Sequence, residues 1–375
     1  MAKIVVNTRL LLKNRLEGIG FFTHETLKRI TEQHPEHQFV FLFDRPFDEE
    51  FIYGSNVTPE IIGPPARHPF LWYLWFEFSV PKMLKKHKAD LFLSQDGYLS
   101  LSTKVKQLDV IHDLNFKYHP QDLPFFFRHY YNYYFPKFAK KATRIATVSD
   151  YSKQDIAKSY GINPDTIDVV YNGVNPKFGT LSTINKFEYR RKFADGCPYF
   201  LFIGALHRRK NVLKMLEAFD LFREKTHDKV KLILAGNVKW WTRKMERTYQ
   251  NLKHKEDVVI TGRVEMSDLT GLMGAAHALL YVPYFEGFGI PIIEGNQSGI
   301  PVVTSNVTSM PEVAGDAAVL VDPFSAESIA EGMLKAYADN DLREELITKG
   351  FLNAERYSWQ RTADLLWESI EKTLK

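Results

Sequence analysis

The sequence predicts an α/β protein made of two facing parallel-sheet domains. Three observations carry this. Short apolar runs, bounded by glycine or polar turns, recur along the 375 residues, and most lead into a helical stretch. The runs fall into two sets, separated near Phe178 to Glu188 by a polar segment of weak pattern. The stretch Leu279 to Glu294, LLYVPYFEGFGIPIIE, passes from a buried strand through Gly287 and Gly289 into a helix opened by Pro291. A chain of this length holds two domains of ordinary size, expected at 1–185 and 186–355, with 356–375 as a final helix.

Composition narrows the class. The chain is 45% apolar and 25% charged, which is globular rather than disordered. A single cysteine, Cys197, excludes an internal disulfide and fits a reducing, cytoplasmic compartment. The opening MAKIVVNTRLLL is interrupted by Lys3 and Arg9 and reads as a first strand, not a signal peptide. No apolar run reaches the roughly 18 residues of a membrane-spanning helix. The formal net charge is +4. Residues 1–185 carry 23 Lys plus Arg against 19 Asp plus Glu, and residues 186–375 carry 26 against 26. The excess lies wholly in the first half, which suits an anionic partner there.

In the first half, residues 3–12 read as a strand and Asn14 to Gly20 as a loop ending in Gly18-Ile19-Gly20, before a helix over 21–31. The loop lacks the third glycine of a dinucleotide fingerprint. Strands follow at 37–43 and 57–61, and Pro64, Pro65 and Pro69 mark a loop. Phe70 to Lys88 reads as a helix with an aromatic face and a lysine-rich end. Two readings stand: an interfacial helix on anionic lipid, or a core helix whose lysines favour its dipole. Strands at 89–93 and 106–111 come next, the second delivering His112 and Asp113 at its carboxyl end. Phe125 to Lys141 interleaves aromatic and basic residues, and Pro136 is expected to interrupt or kink it. Without RNP-like strands or a long basic stripe it reads as a core helix lining an acceptor site, not as a nucleic-acid surface. Strands at 145–148 and 167–170 close the half, with Ser149 as the N-cap between them.

The second half opens with the strand Tyr199 to Ile203 and a helix from Val212, with Arg208, Arg209 and Lys210 between. Cations at a helix start suit a diphosphate; the alternative is a solvated basic loop. Further strands are expected at 230–235, 258–260, 279–282, 301–304 and 317–321, and helices at 267–276, 325–338 and 341–358. There is no HExxH, cysteine cluster or DxD triplet, and no GxSxG or P-loop. Metal-dependent, serine-hydrolase and P-loop chemistries are therefore disfavoured.

The segment EGFGIPIIE, at Glu286 to Glu294, resembles the paired-glutamate signature of retaining, nucleotide-sugar-dependent glycosyltransferases of family GT4. Further motifs stand in the expected order. They are GIG at 18–20, HD at 112–113, TVSDYSKQDI at 147–156, VVYNGV at 169–174, FIGALHRRKN at 202–211 and PVVTSNVTSMPEVAGDAA at 301–318. The resemblance implies the GT-B architecture, two Rossmann-like domains with a cleft between them and a last helix crossing back to the first. It implies that His112 contacts the donor sugar and that the Gly18 to Gly20 loop lies near the diphosphate. Glu286, with the backbone of Phe288, Gly289 and Ile290, would hold the donor sugar, and Glu294 the ribose. Arg208, Arg209 and Lys210 would stabilise the leaving diphosphate with no metal and no cofactor. The family often has a basic residue directly after the glycine of this strand; here Ala205 stands there.

The implied activity is a retaining transfer of a hexose to a glycan or lipid-linked glycan, with front-face attack and no enzymic nucleophile. The tracts LHRRKN and TSNVTSMPEVAGDAA are most like bacterial mannosyltransferases of surface-polysaccharide assembly, which suggests GDP-mannose. The alternatives are a UDP-sugar donor, or a protein that binds a sugar nucleotide without turning it over. Peripheral contact with the inner face of an anionic membrane is the expectation that the charge of the first half adds.

Overall fold

The computed structural model describes residues 1–375. The chain divides into two compact units, Met1–Gly173 with Trp359–Lys375, and Val174–Ser358. The first is built on seven strands: β1 (Lys3–Asn7), β2 (Gln38–Phe43), β3 (Val57–Ile61), β4 (Leu91–Ser94), β5 (Lys106–Val110), β6 (Arg144–Thr147) and β7 (Ile167–Val169). All pair in parallel, in the order β3-β2-β1-β4-β5-β6-β7. The second unit has β8 (Tyr199–Ile203), β9 (Lys231–Ala235), β10 (Val258–Gly262), β11 (Ala278–Tyr281), β12 (Val302–Ser305) and β13 (Val319–Val321). These are also parallel, in the order β10-β9-β8-β11-β12-β13. Covering both faces with helices buries the central strands completely, so they read as unbroken apolar runs such as YFLFI. In each sheet the order reverses once, between β1 and β4 and between β8 and β11. Parallel α/β sheets open a crevice beyond the strand ends at such a reversal.

Several elements differ from the sequence reading. β1 stops at Asn7, because the chain turns where the Leu11 amide donates to the Thr8 carbonyl (3.0 Å). The following helix begins at Gly18, inside the expected loop. The polar segment read as a linker is a helix, Thr183–Ala194, capped by the Ser182 hydroxyl and belonging to the second unit. Only Ala194 on it is buried, so it has no apolar stripe to betray it. It is held by polar contacts instead, Arg190 to the Ala275 carbonyl (3.0 Å) and Lys192 to Asp268 (2.6 Å). The units thus part at Gly173/Val174, not after residue 185. Pro136 does not interrupt the Phe125–Lys141 helix. The carbonyl it leaves without a helical donor is that of the exposed Asn132, which water can reach. Arg243–Gln250 is a helix that the apolar pattern does not reveal, since Met245 is its sole buried residue.

The core of the first unit is aromatic. Trp72 and Trp75 are buried, and their indole N–H groups donate to the carbonyls of Ala66 (2.8 Å) and Ile62 (3.1 Å). The last helix, Trp359–Leu374, packs on the Gly18–Gln33 helix, with Trp367 stacked on His34 (3.6 Å between ring centres). In the second unit two glycines, Gly204 and Gly236, lie against each other just past the ends of β8 and β9. A Cβ on Gly236 would lie 1.8 Å from the Gly204 carbonyl oxygen. Backbone cannot yield as a side-chain tip can. Gly236→Ala is therefore expected to cost about 3 kcal/mol, visible as a lowered thermal midpoint; an unchanged midpoint would contradict the close approach.

Candidate functional site

The reversal between β8 and β11 gathers most of the residues singled out in the second half. After β8 the chain makes a short 3₁₀ turn, Arg208–Lys210, in which His207 Nδ1 accepts from the Arg209 amide (3.3 Å). Asn211 ends the turn at φ +64° and is buried. Its side-chain amide donates to the carbonyls of Val282 (3.0 Å) and Pro323 (2.7 Å). The Tyr284 amide donates to the Arg209 carbonyl (3.1 Å). The cationic turn is thereby bolted to the loop that follows β11.

That loop is fixed from its other side by two buried serines. Ser305 donates to the Pro283 carbonyl (2.7 Å), and Ser309 reaches the carbonyls of Glu286 (2.9 Å) and Phe288 (3.1 Å). Gly289 closes the loop at φ +104°, where a Cβ would also meet the Met310 side chain at 2.7 Å. The helix Ile290–Gln297 then starts with no side-chain cap; Pro291 has no amide to offer, and the Ile292 amide donates to the Gly289 carbonyl (3.0 Å).

The charges fall into two groups. Glu286 is buried and paired with both Arg209 and Lys210, the latter at 2.6 Å. Burial alone would raise its pKa, but the two cations outweigh that and hold it down to about 2. Lys210 also donates to the Tyr281 hydroxyl (2.5 Å). The expected cradle of cations is thus a charge-paired triad, Glu286 with Arg209 and Lys210. Arg208 is exposed and stands outside it. Glu294, one helical turn beyond Gly289, is half-buried, and burial pushes its carboxyl up to about 8.

In the first unit, Gly18 and Gly20 lie in the first turn of the Gly18–Gln33 helix. Gly20 packs against the Leu10 carbonyl, where a Cβ would come to 2.8 Å, while Gly18 faces open space. His112 follows β5. Its Nε2 lies 2.9 Å from the Gln95 carbonyl, which can only accept, so Nε2 carries the proton. Burial lowers its pKa and keeps the ring neutral. Its ring meets Phe22 edge-on at 5.0 Å. Asp113 accepts from the Asn115 amide (2.9 Å), a turn-forming role. At the reversal between β1 and β4, Arg9 pairs with Asp96 (2.7 Å) under the Tyr98 ring (4.2 Å). No group of three or more His, Cys, Asp or Glu side chains is placed to hold a metal ion.

Comparison with known proteins assigns the family. The model for glycosyl transferases group 1 matches residues 185–352, and that for glycosyltransferase family 4 matches residues 16–178. The chain is a family 4 glycosyltransferase. It is 29% identical over 364 residues to O-antigen chain mannosyltransferase B of Escherichia coli, covering 93% of this chain and 94% of the other. It is 26% identical to the O-antigen chain mannosyltransferase RfbU of Salmonella typhimurium, over 75% of each chain. Among solved structures, WaaG, a glycosyltransferase involved in lipopolysaccharide biosynthesis, superposes with a TM-score of 0.73 at 20% identity over 96% of this chain and 97% of that one. A glycosyltransferase from Rickettsia africae gives 0.75 at 19% identity, over 100% and 99%. The fold of this glycosyltransferase is GT-B, two Rossmann-like parallel-sheet units.

Sequence reasoning missed the supports of this glycosyltransferase's site. Asn211, Ser305 and Ser309 carry no charge, and their roles depend on contacts 21 to 112 residues away in the chain. The available signal was a polar residue next to an apolar strand, as at Ser305 after VVT. The triad was missed for the same reason, because Glu286 and Arg209 lie 77 residues apart.

The raised pKa of Glu294 gives a test. With a value of about 8 the Glu294 carboxyl is mostly protonated at pH 7 when no ligand is bound. A diol that donates to the carboxylate favours the ionised form and lowers that pKa. Binding should then release a proton near pH 7, and affinity should rise with pH until it passes about 8, where the empty group is already ionised. Calorimetric titration of a nucleoside diphosphate in two buffers of unlike ionisation enthalpy reads the proton. Glu294→Gln should abolish its release; unchanged release in that variant would contradict the assignment.

Proposed function

We propose that this glycosyltransferase transfers mannose, with retention of configuration and without a metal, from GDP-mannose to a glycan or lipid-linked glycan of a surface polysaccharide. The observation that supports this most is the Glu286–Arg209–Lys210 triad beside an uncapped helix start, at the strand reversal of the second sheet. The O-antigen mannosyltransferases to which the chain is similar supply the sugar and the kind of acceptor.

The chemistry follows from charge. Breaking the bond from the sugar's anomeric carbon to the diphosphate leaves positive charge on the sugar and negative charge on the phosphate. Arg209 and Lys210 stabilise the second, and because Glu286 already fixes them they need little reorganisation. Arg208, being exposed, adds charge without a fixed position. The acceptor hydroxyl attacks the anomeric carbon from the face that the phosphate leaves. A new carbon–oxygen bond forms, and the hydroxyl proton passes to the leaving phosphate oxygen. Glu286, with the backbone of Phe288, Gly289 and Ile290, orients the donor sugar, and Glu294 takes the ribose hydroxyls. His112 and the Gly18 and Gly20 amides carry the roles that the family resemblance gives them. The acceptor is held mainly by the first unit, at an anionic membrane face. No helix is long and apolar enough to cross a membrane, so such contact would be peripheral.

A donor panel tests the reading. GDP-mannose, GDP-glucose, UDP-glucose and UDP-galactose are offered with a mannose-terminated acceptor in excess chelator. Turnover of GDP-mannose alone, undiminished by chelator and giving an α-linked product, is the expected result. Preference for a UDP-sugar would overturn the donor, and recovery only with added manganese or magnesium would overturn metal independence.

A further inference from the structure

At the end of the second sheet opposite the donor site, three cations meet without an acid. His277 immediately precedes β11, whose last residue, Tyr281, accepts from Lys210. The four residues of β11 put this end about 13 Å from that contact, at roughly 3.3 Å per residue. Arg190, on the Thr183–Ala194 helix, donates from Nε to the Ala275 carbonyl (3.0 Å). Arg343, on the Asn340–Ala354 helix, donates from Nη1 to the carbonyls of His277 (3.0 Å) and Ala336 (3.0 Å). The two guanidiniums thus converge on the short segment that leads into β11. Lys186 precedes Arg190 by four residues and shares its helix face. All three side chains are half-buried, so each keeps a side open to solvent.

The surroundings are positive. Burial, with the charges of Arg343 and Arg190, pushes the His277 ring down to about 4. Burial and both arginines lower the pKa of Lys186, and burial and Arg190 lower that of Arg343. No carboxylate acts against these shifts. The acids on the same elements are used elsewhere or turned away. Asp268 pairs with Lys192 (2.6 Å), Glu345 pairs with Lys349 (2.5 Å), and the Asp339 carboxylate accepts from the Leu342 amide (3.0 Å). Glu188 lies two residues from both Lys186 and Arg190, on another face of the helix. Arg343 also stands in the first turn of a 15-residue helix, the end that disfavours a cation. The carbonyl contacts account for the two arginines as ties between the helices and the segment before β11. They do not account for Lys186, which sets an ammonium beside like charges and gains no partner.

We infer that Lys186, Arg190 and Arg343 form a binding site for a phosphate dianion, free or carried as a phosphomonoester, separate from the donor site. Two planar guanidiniums offer forked donors to an oxyanion, and the lysine adds a point charge. The carbonyl contacts hold the guanidiniums before the ligand arrives, which lowers the cost of ordering them. A monoanionic carboxylate would leave two of the three charges uncompensated, whereas a dianion compensates most of the cluster. Binding removes a repulsion that the empty cluster carries. The inference goes beyond the transferase reading and does not depend on it.

Calorimetric titration of inorganic phosphate, and separately of mannose 1-phosphate, into protein saturated with GDP tests it, because GDP occupies the donor site. Ionic strength is held constant with chloride. One phosphate per chain should bind. Lys186→Gln removes no contact within the fold, and it should lose about tenfold in affinity, the size of one charge-assisted hydrogen bond, with an unchanged melting curve. Arg343→Gln should lose at least as much; if that variant does not fold, Lys186→Gln carries the test alone. Equal affinity for the two probes supports a site that reads the phosphate group alone, and tighter binding of mannose 1-phosphate supports a phosphomonoester site. The inference fails if GDP-saturated wild type binds neither probe, or if Lys186→Gln binds both as the wild type does.

Discussion

Glu286 is buried, and a buried carboxylate is costly unless it is paired. Arg209 and Lys210 supply the pairing, and with it the order of the second unit's site. The cations come from the turn after β8 and the carboxylate from the loop after β11. A single 3₁₀ turn is the only regular structure in either segment. The ion pairs, the Asn211 and Ser309 hydrogen bonds and the positive φ of Gly289 do that work between them. A site whose charges are fixed before a ligand arrives can stabilise developing charge with little reorganisation.

The sheet order decides which residues meet. Because the strand order reverses between β8 and β11, the loops after those strands leave in different directions and open a crevice. The first sheet repeats the arrangement between β1 and β4, where the Arg9–Asp96 pair lies under the ring of Tyr98. Asp96 is next to Gln95, whose carbonyl sets the tautomer of His112. In both units an ion pair stands at the reversal, and the residues singled out from the sequence lie on the loops and helices that follow the strands.

Much of this was legible in the sequence, for physical reasons. Strands covered on both faces must be apolar throughout, so YFLFI and LLYV announce themselves. Glycines that the backbone requires, such as Gly289, mark turns without any structure in hand. What stayed hidden depended on contacts distant in the chain. The Thr183–Ala194 helix is held by arginine and lysine rather than by an apolar stripe, and so it read as a linker. The pairing of Glu286 with the cations could not be seen from either motif alone. Pro136, expected to interrupt or kink its helix, does not interrupt it.

The central claim is that Arg209 and Lys210, fixed by Glu286, bind the donor's diphosphate. Comparing GDP with guanosine on Arg209→Met and Lys210→Met, each with its melting curve recorded, tests it most directly. A charge-assisted hydrogen bond contributes about 1.5–3 kcal/mol. Each variant should therefore lose about tenfold or more in affinity for GDP while holding guanosine as the wild type does. Unchanged affinity for GDP in both variants, or an equal loss for guanosine, would contradict the account.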